Sequence, residues 1–115
     1  MIKGRIVLIP FPFDNLSGSK IRPTLCLTEK MGPYNQIVMA YITSQIVQPS
    51  LETDLILQQE DKEFEKTGLS VSSTIRFHRL ITLPSSLIKR DLGILPPHFS
   101  HEAKKCIKKL FSLPS

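Results

Sequence analysis

Cysteine is scarce: Cys26 and Cys106 stand far apart, and the chain has no CxxC pair. Such sparing use supplies neither a disulfide framework nor a cysteine-rich zinc site, and His98 and His101 carry no metal-ligand spacing. Both cysteines lie in apolar stretches, so reduced, buried thiols in a cytoplasmic protein are expected. No apolar run is long enough to span a bilayer. The segment IVLIPFPF is short and broken by Pro10 and Pro12. Asp14 follows it where a small-residue cleavage site would stand, so it does not read as a signal peptide. Repeats and low-complexity tracts are absent. So are GxSxG, P-loop, HExxH and GxGxxG motifs, which removes the common hydrolase and nucleotide-binding signatures. Acidic residues are scattered and give a two-metal nuclease no ligand set; neither metal nor cofactor is expected. The 15 Lys and Arg outnumber the 10 Asp and Glu for a net charge of +5, which makes a polyanion a reasonable partner.

What is present is strand-forming sequence. The 115 residues suit one domain, 1–115, that buries about two-thirds of its unfolded surface. Residues 5–9 form a β-rich run that proline-rich turn signals end. Residues 24–28 read as a second strand with Pro23 at its first position, where a missing N–H is tolerated. QIVMAYITS, residues 36–44, is almost continuously apolar and β-branched, which predicts a central strand buried on both faces. Residues 53–58 alternate weakly, with Leu55 and Leu57 opposed to Asp54 and Ile56. QEDKEFEKTGLSVSS reads as a long, polar, solvated loop. Across residues 74–83, Ile75, Phe77, Ile81 and Leu83 share one expected face, with Arg76, His78 and Thr82 on the other. LPSSLIKRDLGILPP predicts a short strand and turn. One helix follows: Ala103, Cys106, Ile107 and Leu110 keep helical spacing, Ser100 is its expected N-cap, and four lysines line the outer side. The expected class is mainly β: a strongly bent antiparallel sheet, partly closed into a barrel, with a C-terminal α-helix.

The polar residues that stand out are cationic or hydroxylic and sit near strand ends: Ser19, Lys20, Arg22, Thr43, Ser44, Arg76, His78 and Arg79. That set suits a phosphodiester. Arginine forks two N–H bonds onto phosphate oxygens, and hydroxyls add donors. If the ester is RNA, its own 2′-OH can be the nucleophile, and the protein need only move protons and stabilise a pentacoordinate phosphate. Bland readings fit the same residues. Arg22 also suits a surface ion pair, Thr43 is an ordinary strand former, and His78 an ordinary half-exposed strand residue.

The segments GRIVLIPFPFDNLSGSKIRPTLCLT, IVMAYITSQI and TGLSVSSTIRFHRLITL, in this order and spacing, resemble the MazF/PemK family of toxin endoribonucleases over most of the chain. The resemblance implies an SH3-like, CcdB-like small barrel and a homodimer. It further implies metal-independent cleavage of single-stranded RNA at short sequences, leaving a 2′,3′-cyclic phosphate and a 5′-OH. A cognate antitoxin, with an acidic tail disordered when alone, would occlude the RNA site. By the same resemblance Arg22 matches the Arg-Pro arginine at the scissile phosphate, Thr43 the phosphate-binding threonine of the ITS strand end, and Ser19 the polar residue after the loop glycine. Arg76 matches a strand arginine of the PemK branch; where that branch has Asp two residues on, this chain has His78, which titrates near neutrality and can serve as general base. Lys20, Ser44 and Arg79 complete the expected RNA contacts. Two alternatives stay open: a non-catalytic toxin of this fold that poisons a protein such as DNA gyrase, as the related CcdB group does, and a degenerate RNA-binding module.

Overall fold

Apolar, β-branched runs pair into one antiparallel sheet. In chain order the strands are β1 (Arg5–Phe11), β2 (Lys20–Cys26), β3 (Gln36–Thr43), β4 (Asp54–Leu57), β5 (Ser73–Pro84) and β6 (Arg90–Ile94), and helix α1 is Ser100–Leu110. The computed structural model describes residues 1–11, 20–46, 48 and 50–114. Strand order across the six-stranded sheet is β4-β5-β3-β2-β1-β6, which puts the most apolar strand, β3, between β5 and β2. Four of its central residues, Met39 to Ile42, are buried, as a strand covered on both faces requires. Among the described residues no helix is long and apolar enough to cross a membrane.

The sheet has an apolar cluster on each face. One contains Ile6, Leu25, Ala40, Ile42, Leu55, Leu57, Phe64, Ile75 and Phe77, and Ala103 and Cys106 of α1 close over it. The other holds Val7, Ile9, Cys26, Ile37, Met39, Tyr41 and Ile81. Both cysteines are buried and unpaired. Burial pushes the Cys26 thiol up to about 11, so it stays protonated at neutral pH.

Four elements depart from the expectation, each for a physical reason. β1 runs through Pro10 to Phe11, and β2 begins at Lys20, three residues before its expected start at Pro23. Among the described residues, β1 past Leu8 pairs only with β2, and β2 before Thr24 only with β1. With a neighbour on one side only, each strand accommodates its proline. A two-stranded arm results, Ile9 to Phe11 against Lys20 to Arg22.

The expected single face of residues 74–83 is split: Ile75 and Phe77 join the helix-covered cluster, Ile81 and Leu83 the opposite one. Tyr41 pairs with Arg76 but Ala40 with Leu80, so three β5 residues face none on β3, and that odd insertion inverts the alternation. The expected acidic loop contains a 3₁₀ turn, Phe64–Thr67, whose Phe64 and Thr67 are buried. It lies so close to β6 that a Cβ on Gly68 would stand 2.1 Å from the Leu92 carbonyl oxygen, and one on Gly93 2.1 Å from that of Lys66. Finally, Ser100 is not the N-cap. A 3₁₀ turn, Pro97–Phe99, runs straight into α1, so Ser100 is already helical and Phe99 occupies the cap.

Candidate functional site

The ladder between β2 and β3 stops at Thr24 and Tyr41. Counted two residues further in the same register, Arg22 falls opposite Thr43, where the two strands have parted. Pro23 stands at the first position past the last paired residue and brings no backbone N–H to continue the ladder. Residues of this fork line a groove of about 450 Å³. Its other wall comes from the Gly68 to Ser73 segment and from β6.

Among the described residues the polar lining is two arginines, Arg22 and Arg90, and four hydroxyls, those of Thr43, Ser44, Ser70 and Ser73, with no carboxylate. Thr43 Oγ1 accepts the Gln45 N–H at 3.2 Å, which leaves its own proton to donate. Thr74, paired with Thr43, donates its hydroxyl to the Gln45 carbonyl, so both threonines fix this strand end. Ser73 is buried and donates to the Val71 carbonyl, bracing the opposite wall. Arg22 is half-buried, with strand pairing to Ile9 fixing its backbone.

Of the residues singled out from sequence, the groove gathers Arg22, Thr43 and Ser44. Lys20 is exposed two residues before Arg22 on the arm. Ser19 lies outside the described residues. Three others are elsewhere. Arg76 Nε is 3.2 Å from Asp54 Oδ1, and that carboxylate is fully buried, so the pair fastens β4 to β5. Arg79 lies over the Tyr41 ring, 4.4 Å from its centroid. His78 is exposed within the inserted stretch of β5. Partial burial and then the nearby Arg76 charge lower its pKa, so its ring is neutral at pH 7.

Arg90, Ser70 and Ser73 escaped the sequence reading. Arg90 reaches the groove only because β6 pairs with β1, Leu8 opposite Arg90, and no local pattern announces that long-range contact. A larger concavity, about 620 Å³, lies at Met1, Arg5, Glu29 and Asp91. Three of its charged side chains are engaged: Arg5 clasps Asp91 through two nitrogens at 2.8 to 3.2 Å, and Glu29 accepts the Ile2 N–H. Among the described residues, no group of three His, Cys, Asp or Glu side chains is placed to hold a metal ion.

The fold is shared with several solved structures. The Mycobacterium tuberculosis toxin MazF-mt6 superposes with a TM-score of 0.73 at 20% identity, covering 96% of this chain and 99% of that one. An endoribonuclease in complex with its cognate antitoxin, from Mycobacterial species, gives 0.71 at 13% identity over 100% and 98% of the two chains. No curated protein matches the chain in sequence. Residues 2–111 match the family described as PemK-like, MazF-like toxin of type II toxin-antitoxin system. With nearly its whole length inside that match, the chain belongs to the PemK-like, MazF-like toxin family.

Proposed function

We propose that the protein is an endoribonuclease toxin that cleaves single-stranded RNA at selected sequences. The observation that carries this reading is the groove itself, which Arg22, Arg90 and four hydroxyls line with no carboxylate among the described residues. The described lining sets no carboxylate against a phosphate and offers it the guanidinium N–H groups and the Thr43 hydroxyl as donors. Fold and family support the same reading, as does the structural relative described as an endoribonuclease bound to its cognate antitoxin.

In the proposed step the 2′-oxygen attacks phosphorus and the bond to the 5′-oxygen breaks. The 2′-OH proton passes to water and the departing 5′-oxygen takes one up, which leaves a 2′,3′-cyclic phosphate and a 5′-OH. Charge grows on the non-bridging oxygens as the phosphorane forms. Arg22 forks two N–H bonds onto them, and the Thr43 hydroxyl, whose oxygen is already occupied by Gln45, donates a third. His78 lines no part of the groove and takes no step in this scheme. Purified protein incubated with a long single-stranded RNA in EDTA should yield discrete fragments with 5′-OH ends, while the same sequence as A-form duplex, its base edges inaccessible, should resist. Intact single-stranded RNA would overturn the reading.

A chain of this size offers little length for an RNA groove, and we infer that two copies build it as a homodimer about a two-fold axis. A cognate antitoxin with an acidic, disordered tail would fold along the cationic lining and compete with RNA. Sedimentation at micromolar concentration should give twice the 13.0 kDa chain mass. A stable monomer, or an antitoxin complex that cleaves at full rate, would contradict this assembly.

A further inference from the structure

We propose that Arg90 is an RNA-binding residue of the same groove that grips the phosphate next to the scissile one; the inference rests on the endoribonuclease reading above. Leu8 of β1 pairs with Pro23 on one side and with Arg90 on the other. Arg22, opposite Ile9, lies one residue beyond that level. The two arginines therefore rise diagonally across β1, from alternate faces of the sheet and from backbones roughly 10 Å apart, and both reach the groove at these strand ends. Arg22 shares the β2–β3 fork with Thr43, and Arg90, on β6, lines the same groove. RNA laid across these strand ends would meet the fork with one phosphate and Arg90 with a neighbouring one.

Two features keep the Arg90 charge directed at the groove. The adjacent carboxylate, Asp91, is held in the bidentate pair with Arg5, whose Nη2 is 2.8 Å from Oδ1. The Arg90 backbone is fixed by its pairing with Leu8, reinforced by the Lys89 N–H donating to the Leu8 carbonyl at 2.8 Å. A cation anchored in this way loses little backbone freedom when a phosphate arrives.

The test measures binding apart from cleavage. A mixed-sequence, single-stranded oligonucleotide with 2′-deoxyribose throughout cannot be cleaved but keeps every phosphate. Its dissociation constant is measured by fluorescence anisotropy between about 50 and 200 mM salt. Arg90→Ala and Arg90→Gln should each bind severalfold more weakly at low salt, and each should reduce the log–log salt slope by about 0.7, the loss of one single-strand phosphate contact. Arg90→Lys should restore the slope. On RNA substrate the first two variants should raise KM and leave kcat within about twofold, because a flanking phosphate is held equally in ground and transition states. A salt slope unchanged in both variants overturns the proposal. A fall in kcat at constant KM also overturns it, by moving Arg90 to the scissile phosphate. A wild-type protein that binds the oligonucleotide without salt dependence would defeat the underlying endoribonuclease reading instead. Because Arg90 is exposed on an edge strand, both variants should keep the wild-type circular dichroism spectrum.

Discussion

Arg22→Ala should lower the rate of RNA cleavage by about a hundredfold or more without unfolding the protein. One preorganised donor removed from a developing oxyanion costs on the order of 3 kcal/mol, and a guanidinium contributes two such bonds together with its charge. The loss should fall on kcat rather than KM, since the non-bridging oxygens carry their full charge only in the transition state. The side chain is half-buried at a strand position and belongs to neither apolar cluster, so its removal opens no core cavity. Arg22→Lys keeps the charge but loses the planar fork, and should recover only part of the rate. Single-turnover cleavage of a defined RNA, with far-ultraviolet circular dichroism as the control, decides the matter; a near wild-type rate for Arg22→Ala would sink the mechanism. The same assay settles the part of His78. A histidine base would give a rate that titrates below the ordinary imidazole value, in line with the lowered pKa, and His78→Ala would flatten that profile.

The strands that hold these residues were legible where local sequence alone decides them. β3 announces itself because a strand covered on both faces must be apolar almost throughout. α1 does so through the spacing of Ala103, Cys106 and Ile107. Arg22 and Thr43 were legible through the Arg-Pro pair and the end of the β3 run, and the structure brings both to one groove. The misread features depend on partners distant in sequence. Pro10 looks like a strand breaker until one knows that it stands where β1 has a single described neighbour. Phe64 sits among charges in the chain, yet the fold buries it because the glycine contacts let this turn pack against β6. Arg90 belongs to the groove through a pairing that spans most of the chain. Charge and composition pointed to a polyanion; only topology decides which cations share one groove.

Phe77→Ala is expected to remove a large part of the protein's margin of stability. The ring is fully buried and heads the order of large buried side chains. Truncating a buried Phe to Ala costs about 3–5 kcal/mol, against a total of about 5–15 for an ordinary domain. Several features place this site toward the upper part of that range. Phe77 stands where β5 leaves register with β3, and its N–H donates to the Thr53 carbonyl at 3.2 Å, so its backbone is tied to the segment leading into β4. The void would be bounded by β3, β4 and α1, elements held by their own ladders and turns, which limits collapse. A furrow of about 240 Å³ already abuts the ring, lined by Leu27, Val38, Leu80, Ile107 and Leu110, and truncation would join the void to it. Urea unfolding should show a midpoint far below wild type with an unchanged slope, and Phe77→Leu should recover much of the loss because it refills most of the volume. Since Ile42 belongs to the same cluster and also lines the groove, the alanine variant should lose cleavage activity on warming before wild type does. An unfolding free energy within about 1 kcal/mol of wild type would mean that the inserted stretch of β5 repacks freely and that the switch between the sheet's two faces is not held by this ring.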